Sequence, residues 1–277
     1  MKLQIIILLG LAAFLGSCEQ TVHLDMDQTP SRIVIEGFVT DQADHNYVKV
    51  SRTNDFYSSG STPRVTDATV MVEDSEGTIF NFSHYSGDSP DSAGLYFPET
   101  PFAGVAGRTY KLTVVAGGAT YTAEDELLRL VPMEKIEYRI NDDEQQDPED
   151  PGRFYEVLLF VTEPKETKDF YLFKCFRNGE IEYAAENDIY YSDDELIGEN
   201  IDGVPLPVFF AKDDLARVEV YSMTRDAFVY YRDLQKLLTN DGGLFGTPPA
   251  NPRSNLSGDA LGFFQVSAIQ TGEVEIQ

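Results

Sequence analysis

Basic residues, cysteine, histidine and tryptophan are all scarce or absent in this chain. Only 21 Lys+Arg stand against 47 Asp+Glu, a formal net charge of −26, with two cysteines, three histidines and no tryptophan in 277 residues. Nucleic-acid binding needs clustered lysine and arginine to displace counterions from phosphate, so this balance excludes nucleic acid as a partner. The same deficit disfavours electrostatic adsorption to anionic lipid, and an acidic surface by itself needs no partner beyond water. His23, His45 and His84 fall in no H-E-x-x-H pair. Nor does the chain contain a G-x-S-x-G nucleophile elbow, a P-loop, or a G-x-G-x-x-G after a strand. No cofactor or metal is therefore expected, and the chain reads as non-catalytic. Its many carboxylates leave one enzymatic alternative, a hydrolase built on a pair of acids. The acidic runs Asn141 to Pro151 and Asp193-Asp194-Glu195 lack the D-x-[DN]-x-[DN]-G spacing of a calcium loop.

Long apolar runs are missing too, which makes the short one at the start informative. Lys2 is followed by the run Leu3 to Phe14 and then by Leu15-Gly16-Ser17-Cys18. A charged start, an apolar stretch of roughly 7–15 residues and small residues at the cleavage point make a secretory signal, whereas a spanning helix needs about 20 apolar residues. Residues 1–17 thus read as a lipoprotein signal peptide, with Leu15, Gly16 and Ser17 as the processing motif and Cys18 as the lipid-attachment residue. Each buried acyl methylene contributes about 0.8 kcal/mol, and two or more chains anchor stably where one is marginal. The alternative is an ordinary signal peptide with a coincidental cysteine. If Cys18 is acylated, Cys175 has no disulfide partner within the chain. It lies in the apolar stretch Phe170 to Phe176, where a free cysteine is expected to act as a small buried hydrophobe.

Residues 18–31 contain few apolar side chains and read as an acylated tether. From Ile33 the pattern becomes strand-like, with seven short segments rich in β-branched and aromatic residues at 33–39, 47–50, 68–72, 79–82, 95–97, 110–115 and 119–122. Turn signals separate them, among them Asp74-Ser75-Glu76-Gly77 and Gly117-Gly118. Residues 32–131 are expected to form a β-sandwich domain, loosely like the immunoglobulin-like and transthyretin-like sandwiches of envelope proteins. Residues 132–277 are expected to form a second β-rich domain. Its strands are expected at 136–140, 155–161, 170–176, 180–183, 208–210 and 218–221, and Asn178-Gly179 signals a type I′ hairpin. The run 141–151, with six carboxylates and two prolines, is expected to be a solvated loop. One amphipathic helix is expected at about 224–240, with Thr224 as its cap and Ala227, Tyr230, Tyr231, Leu234, Leu237 and Leu238 on one stripe.

Aromatic residues are plentiful, with 15 Tyr and 18 Phe. Tyr190-Tyr191 and Tyr230-Tyr231 are candidates for lining a ligand groove, with sheet and helix packing as the alternative. Asp91-Ser92-Ala93 resembles the acidic-hydroxyl-small motif of O-glycosylated exported proteins in Bacteroidota, which makes Ser92 a candidate modification site.

The C-terminal segment joins a helix stop at Gly242-Gly243, a proline-braced loop through Pro248-Pro249 and Asn251-Pro252 to Asn255, and a closing strand around Ala260-Leu261-Gly262-Phe263-Phe264. Together with Ile35-Glu36-Gly37-Phe38-Val39-Thr40, Ala68-Thr69-Val70, Gly104 to Tyr110 and the cysteine signal, it resembles the domain of unknown function 4249 family of Bacteroidota lipoproteins. That family is typically encoded beside TonB-dependent receptors. The resemblance implies an outer-membrane lipoprotein, lipid-anchored and facing the cell exterior, that serves a TonB-dependent receptor as a non-catalytic binding subunit for a ligand the sequence does not name. Glu19, Asp25 and Asp27 fit an acidic surface-export signal, and attachment facing the periplasm stays open. The rival reading is a structural or adhesive envelope lipoprotein that binds protein or glycan without a transporter.

Overall fold

A computed structural model of the chain describes residues 30–54, 62–87, 92–146, 150–162, 167–185, 187–193, 200–240 and 250–277. Residues 1–29, with Leu15, Gly16, Ser17 and Cys18 of the expected signal and most of the expected tether, together with Asp91 and residues 241–249, lie outside the described residues. Residues 31–277 form one compact unit, and it is mainly β. Its strands are β1 (Ile33–Thr40), β2 (Tyr47–Arg52), β3 (Thr69–Asp74), β4 (Ile79–His84), β5 (Leu95–Pro98), β6 (Thr109–Ala116), β7 (Ala119–Glu126), β8 (Met133–Ile140), β9 (Arg153–Thr162), β10 (Phe170–Arg177), β11 (Glu180–Glu182), β12 (Tyr190–Asp193), β13 (Asn200–Ala211), β14 (Leu215–Met223), β15 (Leu261–Ser267) and β16 (Ile269–Glu275). Two helices accompany them among the described residues, α1 (Asp142–Gln146) and α2 (Arg225–Leu238).

The seven strands expected before residue 126 all form, and they share an eight-stranded sheet of order β15-β1-β2-β5-β4-β3-β6-β7. Strand β6 shows why: Tyr110, Leu112, Val114 and Ala116 alternate inward while their neighbours stay at least partly exposed, the period-two pattern of a half-buried strand. The eighth strand comes from the other end of the chain. Residues Val34–Thr40 of β1 pair in parallel with Leu261–Ser267 of β15, so the segments 32–131 and 132–277 share one sheet.

The two edge strands of this sheet, β7 and β15, are tied to each other by side chains. Asn255 Nδ2 donates to the carbonyls of Glu124 and Phe264, at 3.1 and 2.8 Å, while its Oδ1 accepts from the Phe264 N–H. Asp125 Oδ2 accepts from the Val266 N–H at 2.8 Å. The sheet therefore wraps around its own core of Ile35, Val39, Val48, Leu112 and Phe264, and its edge groups find partners, as buried backbone must.

A second sheet has the order β11-β10-β14-β16, with β12 also paired to β10, and a third has the order β13-β9-β8. Between them lies a core containing Val157, Leu159, Phe210, Val218 and Cys175. Cys175 is fully buried, and burial pushes its thiol up to about 12, consistent with a packing residue. A third cluster seats α2 on the sheets through Phe228 and Val229 against Phe170, Leu172, Tyr221 and Phe263. Helix α2 begins where expected, with the Thr224 hydroxyl accepting from the Ala227 N–H.

Two local outcomes test the turn chemistry. Asn178 and Gly179 both have positive φ, 54° and 89°, as a type I′ turn requires. Asn178 also donates to Asp214 Oδ1 and accepts from the Leu215 N–H. Asn178→Ala loses both bonds and strains the turn, so its urea midpoint should drop by the equivalent of about 1–2 kcal/mol; an unchanged midpoint would refute this account. The acidic run, by contrast, is not wholly loop. Asn141 Oδ1 accepts from the N–H groups of Asp143 and Glu144, and Asp142, Asp143 and Glu144 occupy the first turn of α1, where the helix dipole favours negative charge.

Candidate functional site

A cleft of about 550 Å³ opens between the second and third sheets. One wall is the edge strand β12. Its register on β10 sets Tyr190 beside Phe173 and Tyr191 beside Leu172, so alternate tyrosines project to opposite faces of the strand. The Tyr190 hydroxyl accepts from the Ala184 N–H at 2.5 Å, and burial pushes this phenol up to about 12, so it stays neutral. Tyr191 meets Phe228 of α2 edge-on, ring centroids 5.4 Å apart. Where β12 begins, the Ile189 N–H donates to Gln235 Oε1 at 2.7 Å, which ties the strand to the helix.

The opposite wall is Val204-Pro205-Leu206-Pro207 of β13. Pairing of β13 with β9 shifts register between Asp202 and Val204 and again between Pro205 and Phe209. Proline lacks the N–H that a ladder needs, so the strand bulges and the two proline rings stay exposed while Leu206 turns into the core. Leu159 and Phe173 contribute to the lining from β9 and β10. Beneath them is a gap of about 10 Å³ between the sheets, also touched by Leu159 and Phe173, with room for no more than about one water.

Of the two tyrosine pairs singled out by sequence, one lines the cleft and the other packs. Tyr230 stacks on Phe263 at 4.9 Å. Tyr231 donates to Gln265 Oε1 at 2.5 Å, the head of a chain that runs from Gln265 Nε2 to Ser267 Oγ and on to the Ser222 carbonyl. Such a satisfied network specifies structure. Ser92 sits half-buried just before β5. His84 Nε2 accepts from the Gly94 N–H, and His45 pairs with Asp44. Among the described residues no group of three or more His, Cys, Asp or Glu side chains could hold a metal ion. The second wall was missed in the sequence, where a strand was expected only at 208–210; the pattern Gly203-Val204-Pro205-Leu206-Pro207, two prolines inside an apolar stretch, is the signal that could have found it.

A separate cluster sits where the first and second sheets meet. The Lys174 ammonium lies over the rings of Tyr221 and Phe38, 4.6 and 5.1 Å from their centroids. Its cross-strand partner is Glu219, which accepts from the Tyr221 hydroxyl at 2.6 Å. Burial holds the lysine below its ordinary range, while Glu219 and Glu36 pull the other way. Tyr47 donates to Glu36 at 2.8 Å. The cluster joins charge to aromatic faces and closes on itself.

The family model described as Domain of unknown function (DUF4249) covers residues 19–273, and no curated protein matches the chain. Among the described residues no helix is long and apolar enough to cross a membrane.

Proposed function

This chain belongs to the DUF4249 family, and from that premise we propose that it is an outer-membrane lipoprotein, anchored through Cys18 and facing the cell exterior. In this reading it serves a TonB-dependent receptor as a non-catalytic subunit that captures a nutrient. The rolled eight-stranded sheet is read as the immunoglobulin-like or transthyretin-like sandwich that carries the binding domain on its tether. The observation supporting a binding role is the cleft between β12 and β13. It is concave, preformed, lined mainly by apolar and aromatic side chains, and within the size range of small-molecule sites, roughly 300–1,000 Å³. The Leu15-Gly16-Ser17-Cys18 sequence supports the anchor.

Two measurements test this reading. Labelled palmitate should enter the wild-type chain and not Cys18→Ala, and the variant should leave the membrane fraction completely, since the acyl chains supply the attachment. Purification in mild detergent should recover a receptor barrel with the chain. A Cys18→Ala chain that stays in the membrane would sink the anchor. Persistent absence of a barrel would turn the reading toward a structural or adhesive envelope protein.

A further inference from the structure

We infer that the cleft between β12 and β13 takes an uncharged, largely apolar small molecule that carries a hydrogen-bond acceptor such as a carbonyl. The inference deepens the binding role proposed above and rests on it. The chain has 21 basic and 47 acidic residues, yet among the described residues not one Asp, Glu, Lys or Arg lines this cleft. A charged ligand would give up its hydration there and, among the described residues, meet no counter-charge, a cost of several kcal/mol. The net charge of −26 adds long-range repulsion for anions. An uncharged ligand meets neither penalty.

The acceptor follows from the hydrogen bonds already made. Gln235 Oε1 is occupied by the Ile189 N–H, so what this side chain has left to offer a ligand is its amide Nε2, a donor. The Tyr190 hydroxyl accepts from the Ala184 N–H, so it too has its O–H left to donate, beside the face of its ring. With Phe173 and the proline faces of Pro205 and Pro207, the surroundings are flat and apolar, and the Gln235 amide and the Tyr190 O–H are donors set among them. A ring system bearing a carbonyl matches that set.

Benzophenone is such a molecule, and under near-ultraviolet light it inserts into neighbouring C–H bonds, so it reports its own location. The excited ketone abstracts a hydrogen atom and the two resulting radicals combine, giving a tertiary alcohol joined to the protein carbon with nothing lost. The full-length lipoprotein in detergent is irradiated with benzophenone, with the anion 4-benzoylbenzoate, or with the cation 4-benzoylbenzyl-trimethylammonium, and adducts are mapped by mass spectrometry. Benzophenone should label peptides containing Ile189 to Ser192 and Val204 to Pro207 at least about tenfold more than either charged analogue. Val204 is 39% exposed at the cleft wall, so Val204→Arg should fold, place a charge in the lining and cut that labelling about tenfold. Val115→Arg, at a position 40% exposed on β6, should leave it intact. Gln235→Leu should weaken displacement by unlabelled acetophenone more than displacement by ethylbenzene, which lacks the carbonyl.

Equal labelling by the charged analogues, adducts scattered away from these peptides, or indifference to Val204→Arg would overturn the inference. Cleft labelling without a recovered receptor would leave the site standing and remove the uptake role. Recovery of a receptor without cleft labelling would do the reverse.

Discussion

Gly262→Ala should destabilise the protein by about 4 kcal/mol or more, a large share of the roughly 5–15 kcal/mol that holds an ordinary domain folded. Gly262 has φ of +101°, and a Cβ built on it would lie 2.0 Å from the carbonyl oxygen of Ile35 and 2.9 Å from its carbon. Both the backbone conformation and the space exclude a side chain. Ile35 is the residue that Gly262 faces across the β1–β15 ladder, so the clash can be relieved only by moving β15 away from β1. That movement would break the parallel ladder between β1 and β15 and draw Phe264, fully buried, out of its core. Gly77→Ala is the proper comparison. Its φ is +84° but nothing lies within 4 Å of a Cβ there, so it should cost only about 1 kcal/mol from strain. Urea unfolding followed by far-ultraviolet circular dichroism would measure both. Equal midpoints for the two variants would show that the close approach at Gly262 does not hold the sheet together.

Stability should also fall as pH rises from 5 to 8, and Asp125 should carry much of the slope. Its carboxyl accepts from the Val266 N–H and from the Thr224 hydroxyl, which favours ionisation, but burial outweighs both and pushes it up to about 7 from an ordinary 3.8. The Asp226 carboxylate on the first turn of α2 adds to the rise, and Tyr231 is the neighbouring phenol. A group that holds its proton more tightly when folded stabilises the fold fully below its unfolded value, and that stabilisation is lost as pH climbs through the folded one. Between 3.8 and about 7 the loss amounts to at most about 4 kcal/mol. Asp41, also raised by burial, contributes in the same direction. Asp74 is held low by N–H groups and by Arg108, so its contribution disappears only in acid, below this window. Asp125→Asn keeps an acceptor for Val266 and can donate to a reoriented Thr224 hydroxyl, so its urea midpoint should be flatter from pH 5 to 8 than that of wild type. The same slope in both proteins would mean that Asp125 is ionised throughout this range.

How much of this was readable in advance depended on how far apart the interacting residues are. Asn178-Gly179 and Gly117-Gly118 were legible because a positive φ is decided within the turn itself. The Thr224 cap was legible because capping is local. The expected α2 stripe was right at Ala227 and in part at Tyr230 and Tyr231, but the helix also buries Phe228 and Val229 and leaves Leu238 exposed, because contacts from several sheets decide which face is covered. The Asn141 cap was overlooked under the weight of the surrounding carboxylates, although capping is equally local. Strands β12 and β16 were missed for a different reason. Tyr190–Asp193 is too short to show a period, and Ile269–Glu275 becomes a strand through its pairing with β14.

By itself the sequence determined the acidic, mainly β character of the chain, most strand positions and the hairpin turns, because charge, period-two alternation and turn conformation belong to single residues or close neighbours. The tertiary structure decided that β15 returns to pair with β1, that Asp125 and Asn255 tie β7 to β15, and that Leu159, Phe173, Tyr190, Pro205 and Gln235 share one cleft. Those groups come from different elements, and only packing free energy summed over the whole core brings them within contact.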